Sequence, residues 1–239
     1  MNDLLEKIKQ SKNIIKDAKN IVVFSGAGVS VASGIPTFRG KNGLWSRYDP
    51  TVLDIDYFVT NPKESWRVIR EIFYDFLSKV KPNDAHYAIA RLGCPVITQN
   101  IDNLHQEAGS IHVVEFHGTA KTLVCMECGE RFDKSVVDLS KIPPLCKKCG
   151  GLLKPDFVFF KEPIPEKAYK QSIVLAQESD VMIIVGTTGE IMPASQIPYI
   201  AKDSSSLIIE INIEPSNYTN SITDIFLQGK AEEILPKLV

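Results

Sequence analysis

The chain has 239 residues, 44% hydrophobic and 23% charged, with 27 basic and 29 acidic side chains and a net charge of -2. This length fits one large domain, or one domain carrying an inserted module, and is enough to bury its own core. The balance excludes collagen-like, coiled-coil and low-complexity chains, and no global basic field points to nucleic acid or anionic lipid.

Residues 2–19 place Leu4, Leu5, Ile8, Ile15 and Ala18 on one face, the pattern of an amphipathic helix. Ile21-Val22-Val23-Phe24 then reads as a strand buried on both faces, ending in a glycine-rich turn over 25–30. Residues 61–80 predict a helix with Asn61 as N-cap, Pro62 at its first position and Glu64 three after the cap. Its apolar face would be Trp66, Ile69, Phe73, Phe76, Leu77 and Val80. A shorter helix over 85–92 leads to another buried strand, Pro95-Val96-Ile97-Thr98. Later come a helix at Glu166–Glu178, a strand at Val181–Val185, a helix over 193–202, a strand over 207–211 and a final helix over 231–238. Such alternation predicts an α/β fold, a parallel sheet covered by helices on both faces. No apolar run approaches the ~18–20 residues a membrane span needs. The first ten residues carry acids and no apolar core, unlike a targeting segment, so a cytoplasmic protein is expected.

Four stretches carry chemistry. Gly26 and Gly28 permit a sharp turn and close approach to a phosphate, although Val31 stands where the usual dinucleotide motif has its third glycine. A tight strand-to-helix turn explains the same residues. Gln99-Asn100-Ile101-Asp102 follows a strand, where side chains project into the ligand crevice of parallel sheets; a capped loop is the plainer reading. Glu115-Phe116-His117-Gly118 offers a histidine suited to general-base work, in competition with His86, His105 and His112. Cys125-x-x-Cys128 and Cys146-x-x-Cys149 have the spacing of four thiolates around a structural zinc, the alternative being two redox pairs. The mild basic excess over 121–154 demands no nucleic-acid role, and Cys94 is expected to be a buried apolar residue.

Five motifs occur together in one order. Gly26-Ala27-Gly28-Val29-Ser30, Gly34-Ile35-Pro36-Thr37-Phe38-Arg39-Gly40, the run Thr98 to His105, His117-Gly118 and the four cysteines resemble the sirtuin family of NAD-dependent protein deacylases. The resemblance extends through Asp156-Phe157-Val158-Phe159-Phe160, Gly186-Thr187-Thr188 and Asn212-Ile213-Glu214. It implies a Rossmann-like NAD-binding domain over 1–40, 82–120 and 154–239, with a small lobe built from a helical insertion over 41–81 and a zinc ribbon over 121–153. It further implies that Gly26, Ala27, Gly28, Val31, Phe38 and Arg39 hold the NAD phosphates and cover the nicotinamide. Gln99, Asn100, Ile101 and Asp102 would line the nicotinamide pocket, and Gly186, Thr187, Thr188, Asn212, Glu214 and Ala231 would hold adenosine. His117 would be the catalytic base, with Asn100 and Asp102 as its partners in catalysis, and Val158, Phe159 and Phe160 the strip that pairs with an acyl-lysine peptide.

In that mechanism the acyl oxygen attacks the ribose as nicotinamide leaves, and a closed apolar cleft protects NAD from water. Co-substrate NAD, one structural zinc per chain, and acyl-lysine proteins or peptides are the expected ligands. No dedicated nucleic-acid partner or membrane is expected, and a monomer is. The chain departs from the family at Thr37, where many members have Asp, and after Thr188, where an apolar run is commonly found. It has Leu77 rather than Arg three positions after Tyr74, so neutral acyl groups, acetyl first, are expected. Mono-ADP-ribosyl transfer is the closest rival activity.

Overall fold

The computed structural model describes residues 2–37, 43–75 and 79–239. Six parallel strands form the main sheet in the order β3-β2-β1-β7-β8-β9. These are β1 Ile21–Ser25, β2 Val96–Thr98, β3 Val113–Glu115, β7 Val181–Val185, β8 Leu207–Asn212 and β9 Ile225–Gln228. Alternation along single strands explains the layers. Val23 of β1 and Ile183 of β7 face one apolar cluster, while Val22, Phe24, Met182 and Ile184 face another. On the first face lie α1 (Asn2–Asp17), α4 (Asp84–Leu92) and α8 (Ala231–Ile234); on the second lie α6 (Glu166–Glu178) and α7 (Ile197–Asp203). Every β7 residue is buried, as two covered faces require. Among the described residues no helix is long and apolar enough to cross a membrane.

A second, three-stranded antiparallel sheet orders β5-β4-β6, with β4 Gly118–Cys125, β5 Arg131–Asp133 and β6 Leu153–Phe157. It shares a third core with α2 (Ile55–Thr60) and α3 (Pro62–Ile69), centred on Phe58, Trp66, Leu123 and Phe159. The Trp66 indole N–H, buried there, donates to the Leu153 carbonyl at 2.8 Å. The remaining short helix, α5 (Leu104–Glu107), follows β2.

Several local expectations change. Leu5 is 56% exposed, and Ser11 takes a buried place on α1 beside Ile8 and Ile15. Asn61 precedes Pro62 as expected, but its side chain donates to Thr60 rather than capping, and Glu64 pairs with Arg67. Beyond Ile69 the helix widens into a π-helix over Arg70–Asp75; Phe76 and Leu77 lie outside the described residues. The glycine turn leads into a 3-10 helix, Ala27–Ser33, and Cys94 is only half-buried against the first core.

The turn after β1 meets the turn after β7 backbone to backbone. The Gly28 N–H donates to the Gly186 carbonyl at 2.8 Å, so that amide is spent inside the protein rather than left for a phosphate. A Cβ on Gly28 would lie 2.6 Å from Gly186 Cα, and one on Gly186, at φ 64, would lie 2.4 Å from the Val29 nitrogen. Neither contact has a flexible side chain that can give way. Gly28→Ala should therefore lower the thermal midpoint by roughly 3–10 °C, the shift expected of ~1–3 kcal/mol of overpacking in a chain this long, as read by calorimetry.

Candidate active site

A cleft opens where β1 and β2 end. Ala27 and Ser30 come from the turn after β1, and Asn100, Ile101 and Asp102 from the loop after β2. Ile35, Pro36, Leu44, Ile72 and Phe73 close it with apolar surface from the segment and helices that follow the first turn. Polar groups converge on one wall and hydrocarbon covers the other, the usual composition of a small-molecule site.

Ser30 organises the polar wall. Its hydroxyl donates to Asp102 Oδ2 at 2.7 Å and accepts from Asn100 Nδ2 at 3.1 Å, with His86 Nε2 at 3.4 Å. His86 Nδ1 accepts the Asn83 N–H, so the proton of the neutral ring sits on Nε2, toward Ser30. Asn100 Nδ2 also donates to the Gly26 carbonyl at 3.2 Å. Both amide hydrogens are thus committed, and Oδ1 is left as an acceptor without a partner among the described residues. Asp102 serves twice, because its Oδ1 accepts the Leu104 N–H and holds the start of α5. Burial pushes its carboxyl up, opposed by the Leu104 and Ser30 bonds.

Behind this wall His105 Nε2 lies 2.9 Å from Ser25 Oγ, which donates to Thr98 Oγ1. The His86 and His105 rings meet edge to face at 5.0 Å. Burial pushes His86 down to about 4 and His105 to about 3, so both are neutral at physiological pH.

Gln99 ties the parts together. Its N–H donates to the Ser25 carbonyl, its side chain to Thr187 Oγ1 at 3.1 Å, and its carbonyl accepts from His117 Nδ1 at 3.1 Å. That bond fixes the His117 tautomer and leaves Nε2 as the basic nitrogen. Burial lowers the His117 pKa, and the Gln99 bond opposes the shift in part. Gly118 follows at φ 74, where a Cβ would sit 2.3 Å from the Asp156 carbonyl oxygen; only glycine lets β4 start beside β6 here.

Thr187 is held by Gln99 and by Asn212 Nδ2, which donates to its carbonyl at 2.8 Å. Thr188 and Glu214 are exposed at the strand ends, and Ala231 is buried at the start of α8. Val31 is 50% exposed and does not line the cleft. Phe38 and Arg39 lie outside the described residues. The Val158 N–H donates to the His117 carbonyl, and Phe160 is bridged through N–H and carbonyl to Leu53 and Ile55. Phe159 is buried in the third core, edge-on to Phe58 at 5.2 Å, while Phe160 is exposed near Trp45. An ion pair supports this strip: the buried Lys154 Nζ meets the half-buried Glu162 Oε2 at 2.9 Å, and the same oxygen accepts the Phe159 N–H.

The four sulfurs of Cys125, Cys128, Cys146 and Cys149 lie within 4.8 Å of one another. A tetrahedron of ~2.3 Å Zn–S bonds needs sulfurs ~3.8 Å apart, so the donor set fits zinc with no open position. Gly129 and Gly150, at φ 70 and 80, close the two turns, and the N–H groups of Lys148 and Gly151 point at Cys146 and Cys149 sulfurs.

The sequence offers His86 and His105 only as rivals of His117 for the base and Ser30 only as part of the glycine turn, with no site role for any of them. Their partners are 72, 56 and 80 residues away along the chain, and no local spacing announces them. Of the apolar cover, Phe73 is read from the sequence as part of a helix's apolar face, and Ile72 carries no signal of its own.

The Sir2 family model matches residues 26–193. The NAD-dependent protein deacylase 2 of Pyrobaculum aerophilum is 46% identical over 238 residues, covering 95% of this chain and 92% of that protein. A chain solved for the mechanism and regulation of Sir2 enzymes superposes with a TM-score of 0.89 at 43% identity, covering 98% of this chain and 96% of its own. A Sir2 complex with a p53 peptide and NAD+ superposes at 0.88 with 32% identity, covering 97% of this chain and 96% of its own.

Two outcomes follow from this geometry. Replacing Cys125 and Cys128 together with Ala should release one zinc per chain, as read by metal analysis, and expose the third core to proteolysis, because site formation and folding are coupled. In the unfolded chain both buried histidines protonate below about pH 6.5, whereas the folded protein holds them neutral down to about 4 and 3. Their contribution is complete above pH 6.5 and is lost as pH falls through that window. Denaturant titrations from pH 7 to 4 should show this loss, and His86→Gln should make it shallower.

Proposed function

Because the chain belongs to the Sir2 family, we propose that this cleft removes acyl groups from protein lysine with NAD as co-substrate. The observation that carries the reading is the polar wall of Asn100 and Asp102, joined through Gln99 to a half-buried His117 whose proton affinity burial lowers. NAD supplies the ribose carbon that accepts the acyl oxygen as nicotinamide departs; with water, free lysine and acyl-ADP-ribose result.

The protein's own contributions follow from its groups. Asn100 Oδ1, its amide nitrogen already committed, accepts from the N–H of a carboxamide. Asp102, anchored to Ser30 and Leu104, supplies negative potential where the sugar turns positive. Ala27, Ile35, Pro36, Ile101 and Phe73 exclude water from a reaction that water would divert. His117 Nε2 takes a proton from a ribose hydroxyl, and the Gln99 carbonyl steadies the resulting imidazolium through Nδ1–H. We assign the pyrophosphate to the 26–31 turn together with Phe38 and Arg39, and adenosine to Gly186, Thr187, Thr188, Asn212, Glu214 and Ala231. The peptide adds along Val158–Phe160; among the described residues nothing donates to the Val158 carbonyl, which is available to a peptide N–H.

We divide the chain into an NAD-binding domain over 1–40, 82–120 and 154–239, a helical insertion over 41–81 and a zinc ribbon over 121–153. The zinc ion, held by the four cysteines, is structural. Among the described residues the cleft lining holds no Lys or Arg, which favours neutral acyl groups, acetyl first. Tyr74, which begins the corresponding pair in sirtuins that take acidic acyl groups, is buried in the third core, and its hydroxyl has no partner among the described residues. The reading is of a cytoplasmic monomer without a nucleic-acid partner.

Mass spectrometry of acetyl- and succinyl-lysine peptides, with and without NAD, tests this reading. The acetyl mass should disappear only with NAD, acetyl-ADP-ribose should appear, and the succinyl peptide should react far more slowly. His117→Ala should lower turnover at least 100-fold, in line with loss of a general base, while still binding NAD. NAD consumption with ADP-ribose gained by protein would favour transferase chemistry instead.

A further inference from the structure

Among the described residues, Glu210 is the one carboxylate buried from solvent, at 0% exposure in β8 between Ile209 and Ile211. It has no cation. Three hydroxyls from the segment that follows β8 surround it instead: Ser216 Oγ donates to Oε1 at 2.5 Å, Thr219 Oγ1 reaches both oxygens at 3.0 and 2.9 Å, and Thr223 Oγ1 donates to Oε2 at 2.7 Å. A buried carboxylate is a costly way to fill this space, and an apolar side chain of similar volume would serve packing alone as well or better. What it does uniquely is fix the shape of one irregular segment by several directional bonds.

That segment bears on the turn after β7. The Asn217 N–H donates to the Thr188 carbonyl at 3.0 Å, and Asn217 Nδ2 to the Gly189 carbonyl at 3.3 Å. The Tyr218 ring lies so close beneath Gly189 that a Cβ there would be 2.8 Å from it, and the Tyr218 hydroxyl donates to the Ser195 carbonyl at 3.1 Å. Asn212, two residues beyond Glu210, holds the Thr187 carbonyl from the other side.

We propose that Glu210 is a positioning residue for the adenosine end of the cleft: its carboxylate sets the 213–224 segment, and Asn217 and Tyr218 of that segment brace the 186–189 turn. The proposal rests on the assignment of adenosine to Thr187, Thr188 and Asn212. Glu210 touches no substrate and acts through the brace.

Calorimetric titration with ADP-ribose, alongside deacetylation kinetics on the full chain, tests this. Glu210→Gln keeps the shape and replaces one acceptor oxygen with a donor. It should weaken ADP-ribose and raise the KM for NAD by about 5–20-fold, the effect of losing one or two hydrogen bonds' worth of order. kcat at saturating NAD and the KM for peptide should stay within about twofold, a split that general destabilisation would not produce. Asn217→Ala alters an exposed side chain, should fold normally, and should weaken ADP-ribose by about 2–5-fold. Unchanged ADP-ribose affinity in a folded Glu210→Gln, or equal losses in kcat and both KM values, overturns the proposal. Should Glu210→Gln not fold, unchanged affinity in Asn217→Ala overturns it alone. A wild-type protein that binds no ADP-ribose would instead refute the adenosine assignment itself, and the positioning role with it.

Discussion

Two turns of backbone touch here with no side chain between them, and the cleft depends on that contact. Gly26 and Gly28 on one side and Gly186 on the other draw the ends of β1 and β7 together more closely than any Cβ would permit. With those ends fixed, Gln99 at the end of β2 can reach the Ser25 carbonyl, Thr187 and His117 at once. The glycines therefore work as a spacing constraint. Moving either turn outward by the width of a methyl group would stretch the bonds by which Gln99 holds Ser25 and Thr187.

Burial sets the electrostatics of the same site. His86, His105 and His117 all lose proton affinity to desolvation, while Asp102 gains it. The result is a wall of neutral donors and acceptors around a single carboxyl. Such a wall is preorganised: its dipoles are already aimed when charge develops, and no water must reorient. Hydroxyls do the linking, with Ser30 joining Asn100, Asp102 and His86, and Ser25 joining Thr98 and His105.

How far the sequence revealed this varies with the length scale of the signal. The helix Glu166–Glu178 and the strand Val181–Val185 agree residue for residue with the structure, because one carries sustained helical periodicity and the other an uninterrupted apolar run. β9 went unread, since it follows a segment rich in Ser, Thr and Asn whose order comes from Glu210 rather than from local propensity. The three-stranded sheet was hidden by its irregular pairing: the β4–β6 register shifts between Gly118 and Leu123, so no simple alternation survives. Within the site, contiguous residues such as Gln99 to Asp102 were legible, and so was the paired spacing of the cysteines. Contacts closed by the fold, such as Ser30 with Asp102, were not.

The sheet order also has a consequence for how the protein is made. β1 lies near the amino terminus, yet its two neighbours are β2, at 96–98, and β7, at 181–185. On a ribosome, residues 21–25 thus leave the exit tunnel long before the strand that covers their second edge has been synthesised. Until residue 186 follows, the first glycine turn has no surface to dock on, and an apolar strand edge stays open to other nascent chains. Vectorial synthesis consequently closes the contact between the two turns late and in one step, and a chain terminated before β7 would be a substrate for chaperones and proteases.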